Sequence, residues 1–205
     1  MILENLDKTF LASGNQGKLN EFSSAFNSFK IKWTYIKDFP EFIHPEETGK
    51  TFLENAVIKA KSGLEQTGLP TFSDDSGLVI PAMNNYPGIY SARIGGEDLD
   101  DKSRAAFLVD KMKKGSIPSH TSAYFICVLV LALSNKDIYY TEGKVHGEII
   151  FTPQGKNGFG YDPIFWLSEK KKTMAELSCE EKNKISHRGT AIEIFLNGNY
   201  KKATS

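Results

Sequence analysis

Two apolar stretches, Thr121 to Leu133 and Ile138 to Phe151, stand almost back to back, separated only by Ser134-Asn135-Lys136-Asp137. The spacing predicts a long antiparallel hairpin, with Gly143 and Gly147 as bulge or bend points. Strands of that length need partners on their edges and cover on their faces, so the chain is committed to a sheet-based fold.

The remaining segments say what accompanies the hairpin. Thr9 to Ala12 is a short apolar run that stops at Ser13-Gly14-Asn15-Gln16-Gly17-Lys18, after which Leu19, Phe22, Phe26 and Phe29 recur at helical spacing. The pattern reads as strand, loop, helix. Ile31 to Ile36 alternates as a second strand and leads into an acidic loop around Pro40, Pro45, Glu46 and Glu47. Thr51 with Glu54 fits a capping box, and Leu53, Val57, Ala60 and Leu64 form an apolar stripe ended by Gly68 and Pro70. Thr71 to Pro81 is apolar except for Ser73-Asp74-Asp75-Ser76-Gly77, which predicts strand, turn, strand. A charged helix is expected from about Asp100 to Lys114, a short strand over Ile164 to Leu167, and a helix starting near Ser178. Hairpins mixed with helix-containing crossovers predict an α/β or α+β domain on a mixed sheet, one domain over residues 1–205.

Charge and hydropathy narrow the partners. Lys plus Arg equals Asp plus Glu at 25 each, so there is no overall positive field to hold nucleic acid, and a phosphate ligand must be caught by local groups. The most apolar segment, Tyr124 to Leu133, is about half the ~20 residues of a membrane-spanning helix, so no membrane partner is expected. Met1 to Lys8 carries Glu4 and Asp7 and lacks the pattern of a secretory signal, which makes the cytoplasm the expected compartment. Cys127 reads as a small buried hydrophobe and Cys179 lies in a polar stretch; neither spacing suits a disulfide framework or a zinc site.

Several groups of residues suit phosphate and cation chemistry. In Ser13 to Lys18, two glycines allow a tight turn, a helix N-terminus offers N–H groups and Lys18 adds charge, although an ordinary strand-to-helix turn has the same appearance. Asp74 and Asp75 sit inside an apolar run, where their mutual repulsion is relieved by a divalent cation and hard oxygen ligands suit Mg²⁺. Glu47 is placed to add a ligand, with Asn55 turning toward the same space, while Glu46 and Glu54 need no function beyond an exposed loop and a helix cap. In Gly158-Phe159-Gly160-Tyr161-Asp162-Pro163 the glycines expose an aromatic ring that suits a nucleobase, beside a carboxylate. Lys182, His187 and Arg188 form a dense set of donors for phosphate or carbonyl oxygens.

Taken in order, Ser13 to Lys18, Glu47 to Ala56, Asp74 to Leu78, Pro87 to Arg93, Gly158 to Pro163 and Glu181 to Arg188 closely resemble the inosine/xanthosine triphosphate pyrophosphatase family, over about residues 9 to 195. The resemblance implies a Mg²⁺-dependent hydrolase that converts ITP, dITP and XTP to the monophosphate and pyrophosphate. It also implies an elongated, two-lobed α/β fold around a long mixed β-sheet with flanking helices, an active-site cleft between the lobes, and a homodimer. By the same resemblance, Ser13, Gly14, Asn15, Gln16, Gly17 and Lys18 are the triphosphate loop, Glu47 and Asp75 the Mg²⁺ ligands, and Asp75 the proton acceptor. Ser76, Phe159, Gly160, Tyr161, Asp162, Lys182, His187 and Arg188 are implied substrate contacts, with Phe159 under the base. Gln154 and Cys179 depart from the pattern, outside this set.

The expected chemistry is attack of water on the α-phosphorus, with Asp75 as base, Asp74 in support and Lys18 on the leaving charge. A phosphatase acting through the same acid pair would release orthophosphate instead. A nucleotide-binding regulator would retain the groups and not turn over.

Overall fold

The computed structural model describes residues 2–26, 31–96 and 98–203, so Phe29 of the predicted first-helix stripe lies outside the described residues. In chain order the regular elements are β1 (Lys8–Leu11), α1 (Gln16–Ala25), β2 (Lys32–Tyr35), α2 (Phe52–Thr67), β3 (Thr71–Ile80), β4 (Tyr86–Pro87) and α3 (Asp101–Lys114). They continue with β5 (Thr121–Ala132), β6 (Ile138–Ile149), β7 (Phe165–Leu167), β8 (Lys172–Thr173), α4 (Cys179–Ile185), α5 (His187–Leu196) and β9 (Lys201–Lys202). The strands form one mixed sheet in the order β2-β1-β3-β5-β6-β7-β8, with β4 on β3 and β9 on β6. β1 pairs in parallel with β2 and with β3, as strands joined by helical crossovers must, whereas β7 runs antiparallel to β6 and β8. The predicted α/β class and mixed sheet hold. Among the described residues no helix is long and apolar enough to cross a membrane.

The chain divides into two compact units. The first comprises residues 1–75, 127–143 and 187–205, the second residues 76–126 and 144–186. The backbone passes from one to the other within β3, within β5, at the middle of β6 and between α4 and α5, so neither unit is a contiguous stretch of sequence.

In the first unit, α1 is capped by Asn15, whose side chain accepts from the Lys18 N–H at 3.0 Å. Thr51 caps α2 and Gly68 ends it in the left-handed conformation. The expected box at Thr51 is only half formed, because the Glu54 carboxylate accepts from the Lys50 N–H at 2.6 Å and not from the cap residue. The core gathers Leu11, Phe22, Phe26, Phe72, Leu129 and Phe195, with the Phe72 ring 5.3 Å from Phe26 and 5.2 Å edge-on to Phe195. In the second unit the core gathers Leu78, Ile80, Leu108, Met112, Phe125 and Phe165, the last two rings 4.4 Å apart. Asp100 caps α3 through the Ser103 N–H at 2.7 Å.

Three expectations are corrected. Thr71 to Ile80 is one unbroken ten-residue strand and not two strands around a turn. The aspartates of that segment take side-chain partners, described below, and so do not bond the nearby backbone as turn residues do. Gly143 and Gly147 lie inside a continuous β6 and act by absence of a side chain: a Cβ at Gly143 would collide with the backbone of His187 and Ala191, and one at Gly147 with the Trp166 carbonyl. The helix expected near Ser178 is two helices, because Ser186 is extended at ψ 155 and separates α4 from α5.

The close approach of α5 to β6 leads to a prediction. Gly143→Ala forces the helix away from the strand and should cost about 1–3 kcal/mol, read as a lowered urea midpoint at unchanged m-value.

Candidate functional site

Successive residues of a strand point to opposite faces, and β3 applies this to its two acids. Phe72 packs against the rings of Phe26, the residue that caps α1, and Phe195 of α5, and Asp74, two residues on, meets the charged groups of the same two helices. Ser73 donates to the Ala56 carbonyl of α2 at 2.6 Å, and Asp75, two residues on, also meets α2. The two acids thus take different side-chain partners, Asp74 on α1 and α5 and Asp75 on α2, while the charges of Lys18 and Lys59 act on both.

Asp74 is buried, and its Oδ2 lies 2.9 Å from Lys18 Nζ, 3.1 Å from Arg188 Nη2 and 3.3 Å from Arg188 Nε. Cys127 Sγ stands 3.8 Å from the same oxygen. Arg188 is 1% exposed and also reaches Glu21 Oε2 at 2.5 Å, so its guanidinium lies between two carboxylates. Burial pushes the Asp74 carboxyl up, but the charges of Lys18, Arg188 and Lys59 outweigh it and hold the group well below the usual carboxylate range. Burial, reinforced by the Asp74 charge, pushes the Cys127 thiol up, which keeps it an inert neutral neighbour. Asp74 Oδ1 is buried with no hydrogen-bond partner among the described residues.

Asp75 lies in a different set. Lys59 Nζ is 2.9 Å from Asp75 Oδ1 and 2.9 Å from Glu47 Oε1, bridging the two expected metal ligands. Asn55 approaches Asp75 Oδ2 at 3.5 Å while accepting from the Gly49 N–H at 2.8 Å, which ties the loop after Glu47 to the strand. Burial raises the Asp75 carboxyl above its ordinary value, and the Glu47 charge adds to this, with only partial relief from Lys59 and Lys18. For Lys59, burial acts downward, but Asp75, Asp74 and Glu47 together raise it and keep it an ammonium.

Ser13 to Lys18 runs from β1 into α1, with Gly14, Asn15 and Gln16 exposed and Ser13, Gly17 and Lys18 half-buried. Neither Gly14 nor Gly17 is among the positive-φ glycines, so the expectation of a glycine-dependent tight turn is corrected. What Gly14 leaves is room, since a Cβ there would meet only His44 Cε1 at 3.9 Å. His187 opens α5 and is buried.

The other expected residues belong to the second unit. Asp162 Oδ2 accepts from the Phe159 N–H at 2.9 Å and from Lys182 Nζ at 2.7 Å, and the same ammonium stands 4.4 Å from the centre of the Phe159 ring. Tyr161 is buried and donates its hydroxyl to the Ser91 carbonyl at 2.6 Å. Gly160, at φ 61, donates its N–H to Asp101 Oδ2 at 2.7 Å. Phe159 and Gly160 are half-exposed, and Ser76 is half-buried on β3 just past the unit boundary. The Glu181 to Gly189 motif is thus divided at Ser186, Lys182 lying in the second unit and His187 and Arg188 in the first.

Lys59, Glu21 and Asp101 are absent from the sequence reading. For Lys59 a signal exists, because it stands four residues after Asn55 on α2 and so shares its face. Glu21 stands three residues after Lys18 on α1 in the same way.

Fold and charge placement define an α/β protein on a mixed sheet whose β3 strand carries two buried acids, each matched by cationic side chains from the helices beside it. The Ham1 family model matches residues 9–198, and the chain belongs to the Ham1 family. It is 41% identical over 190 residues to a dITP/XTP pyrophosphatase of Geobacter sulfurreducens, covering 93% of this chain and 95% of that relative. It is 43% identical over 195 residues to a dITP/XTP pyrophosphatase of Acinetobacter baumannii, covering 90% and 91%. Among solved structures, a HAM1 protein from Coxiella burnetii superposes with TM-score 0.87 at 40% identity, covering 95% of this chain and 98% of that one. The Staphylococcus aureus Ham1 protein does so with TM-score 0.81 at 39% identity, covering 94% and 100%.

Removing Arg188 takes a buried cation away from two carboxylates at once. Arg188→Ala should lower stability by about 3–5 kcal/mol in urea titration, and Asp74→Asn on the same background should recover part of that loss.

Proposed function

We propose that this chain hydrolyses deaminated purine nucleoside triphosphates, namely ITP, dITP and XTP, to the nucleoside monophosphate and pyrophosphate with Mg²⁺ as cofactor. The observation that carries the reading is the Glu47–Lys59–Asp75 group, in a chain whose relatives are named dITP/XTP pyrophosphatases. Two carboxylates there converge on one ammonium, which gathers hard oxygen ligands at one place.

The residues present fit magnesium. The donors are hard carboxylate oxygens, and the Lys59 ammonium already bridges them as a positive charge would. Among the described residues no group of three or more His, Cys, Asp or Glu side chains suits a metal. Magnesium takes one or two protein carboxylates and completes its coordination with substrate phosphates and water. Glu47 and Asp75 would hold it, and when bound it would neutralise phosphate charge and ease departure of pyrophosphate.

The chain's own groups do the rest. Asp75, buried on β3 beside Asn55 and Lys59, accepts the proton of the attacking water. Lys18, held by Asp74 and half-exposed beside the open Ser13–Gly17 backbone, donates to phosphate oxygens and stabilises the charge that grows on the leaving group. Asp74 acts through Lys18 and Arg188. The geometry supports a holding role for Arg188, whose Nε and both terminal nitrogens are committed to carboxylates. Phe159 stacks on the purine, with Lys182 and Asp162 fixing its loop and Tyr161 anchoring the loop to Ser91. His187 and Ser76 complete the substrate contacts. A site arranged for a 6-oxo group leaves the 6-amino group of ATP unpaired, at about 1–3 kcal/mol.

The functional entity is the whole of residues 1–205, since the two units share strands, and it acts in the cytoplasm as a homodimer. Light scattering should return twice the chain mass.

Product analysis with Mg²⁺ and ITP, dITP, XTP, GTP and ATP in parallel is the direct test. IMP and pyrophosphate from ITP, with ATP intact, is the expected result; equal turnover of all five, or orthophosphate as first product, overturns the reading. Asp75→Asn should lower kcat by about 10²–10⁴-fold, as loss of a general base does, and unchanged turnover would mark the chain as a non-catalytic binder. Chelation with EDTA should abolish turnover and added Mg²⁺ restore it.

A further inference from the structure

Two aspartates stand at the start of helix α3, Asp100 as its cap and Asp101 as its first residue. Asp100 is the cap, accepting from the Ser103 N–H at 2.7 Å. Asp101, at the first helical position, turns its carboxylate to a residue 59 positions along the chain and accepts the Gly160 N–H at 2.7 Å. Gly160 sits at φ 61, a conformation that side chains disfavour, and a Cβ there would meet nothing within 4 Å. It is therefore the backbone conformation, and not crowding, that calls for glycine.

The bond to Asp101 completes a pattern around Phe159. The N–H of Phe159 itself is held by Asp162, and the next N–H, that of Gly160, by Asp101. Both peptide planes flanking the aromatic residue are thus tied to carboxylates, while the following residue, Tyr161, is anchored to Ser91. The backbone is thus held on both sides of Phe159, and the Lys182 ammonium stands 4.4 Å from the centre of its ring. Pre-ordering a contact ring lowers the cost of binding and does little to the chemical step.

We propose that Asp101 is a positioning residue for the purine-binding loop, setting substrate affinity by fixing the peptide plane between Phe159 and Gly160. The proposal rests on the functional reading above for the identity of the ligand, and on the hydrogen bond alone for the tie itself.

Asp101→Ala removes the acceptor, whereas Asp101→Asn keeps a carbonyl oxygen that can take the same N–H. D101A should raise KM for ITP and XTP about three- to tenfold with kcat within about twofold, from the loss of one exposed charge-assisted bond. D101N should stay near wild type in KM. Hydrogen exchange over residues 158–162 should accelerate in D101A and not in D101N. Unchanged exchange and KM in D101A, or a parallel fall of kcat and Tm in both variants, overturns the role of Asp101. A wild-type protein that releases no pyrophosphate from ITP, dITP or XTP overturns the functional reading instead, and with it the affinity role, whereas an active wild type with an unresponsive D101A overturns the role of Asp101 alone.

Discussion

A carboxylate inside a β-strand is tolerated only if positive charge reaches it, and Asp74 receives that charge from both ends of the chain. Lys18 comes from the first helix and Arg188 from the last, and Arg188 in turn holds Glu21. Two acids against two bases balance within this group, so its burial does not leave a lone charge in a low-dielectric interior. The placement of α1 and α5 beside β3 depends on that balance as well as on the packing of Phe22, Phe26, Phe72 and Phe195. Lys18 thereby gains a fixed origin at the start of α1, next to an open stretch of backbone suited to phosphate.

One residue along the strand, the alternation of side chains produces a second environment with different electrostatics. Asp75 and Glu47 both meet the ammonium of Lys59, and the burial that raises the Asp75 carboxyl is only partly relieved. The first set joins two helices to the strand, and the second joins α2 and the loop before it to the same strand. A single peptide unit separates them, and the geometry of the extended chain keeps their roles apart. The loop around Phe159 follows a third design, in which carboxylates hold the backbone N–H groups on either side of an aromatic residue.

Much of this was legible in residue order. The hairpin of β5 and β6, the strand-loop-helix at Ser13 to Lys18, the cap at Thr51 and the charged α3 all follow local rules of period and capping, and they stand where those rules put them. Reading failed where a local rule met a long-range partner. Ser73 to Gly77 has the composition of a turn, and stays a strand because its acids find cations on neighbouring helices. Gly143 looks like a bend and is instead the floor on which α5 rests.

The sequence by itself determined the elements, the family motifs and the residue types available for phosphate and cation chemistry, since period, capping and turn chemistry act over a few residues. Tertiary structure alone decided which charges meet. Arg188 pairs with Asp74 across 114 positions and with Glu21 across 167, and no spacing rule spans such separations. It also decided that Asp74 and Asp75 part company and that Lys59 stands between the expected metal ligands. The division of the Glu181 to Gly189 motif at Ser186 was settled there too. The physical reason is the same in each case: the cost of burying charge is local, but its compensation comes from whichever segment the fold brings within about 3 Å.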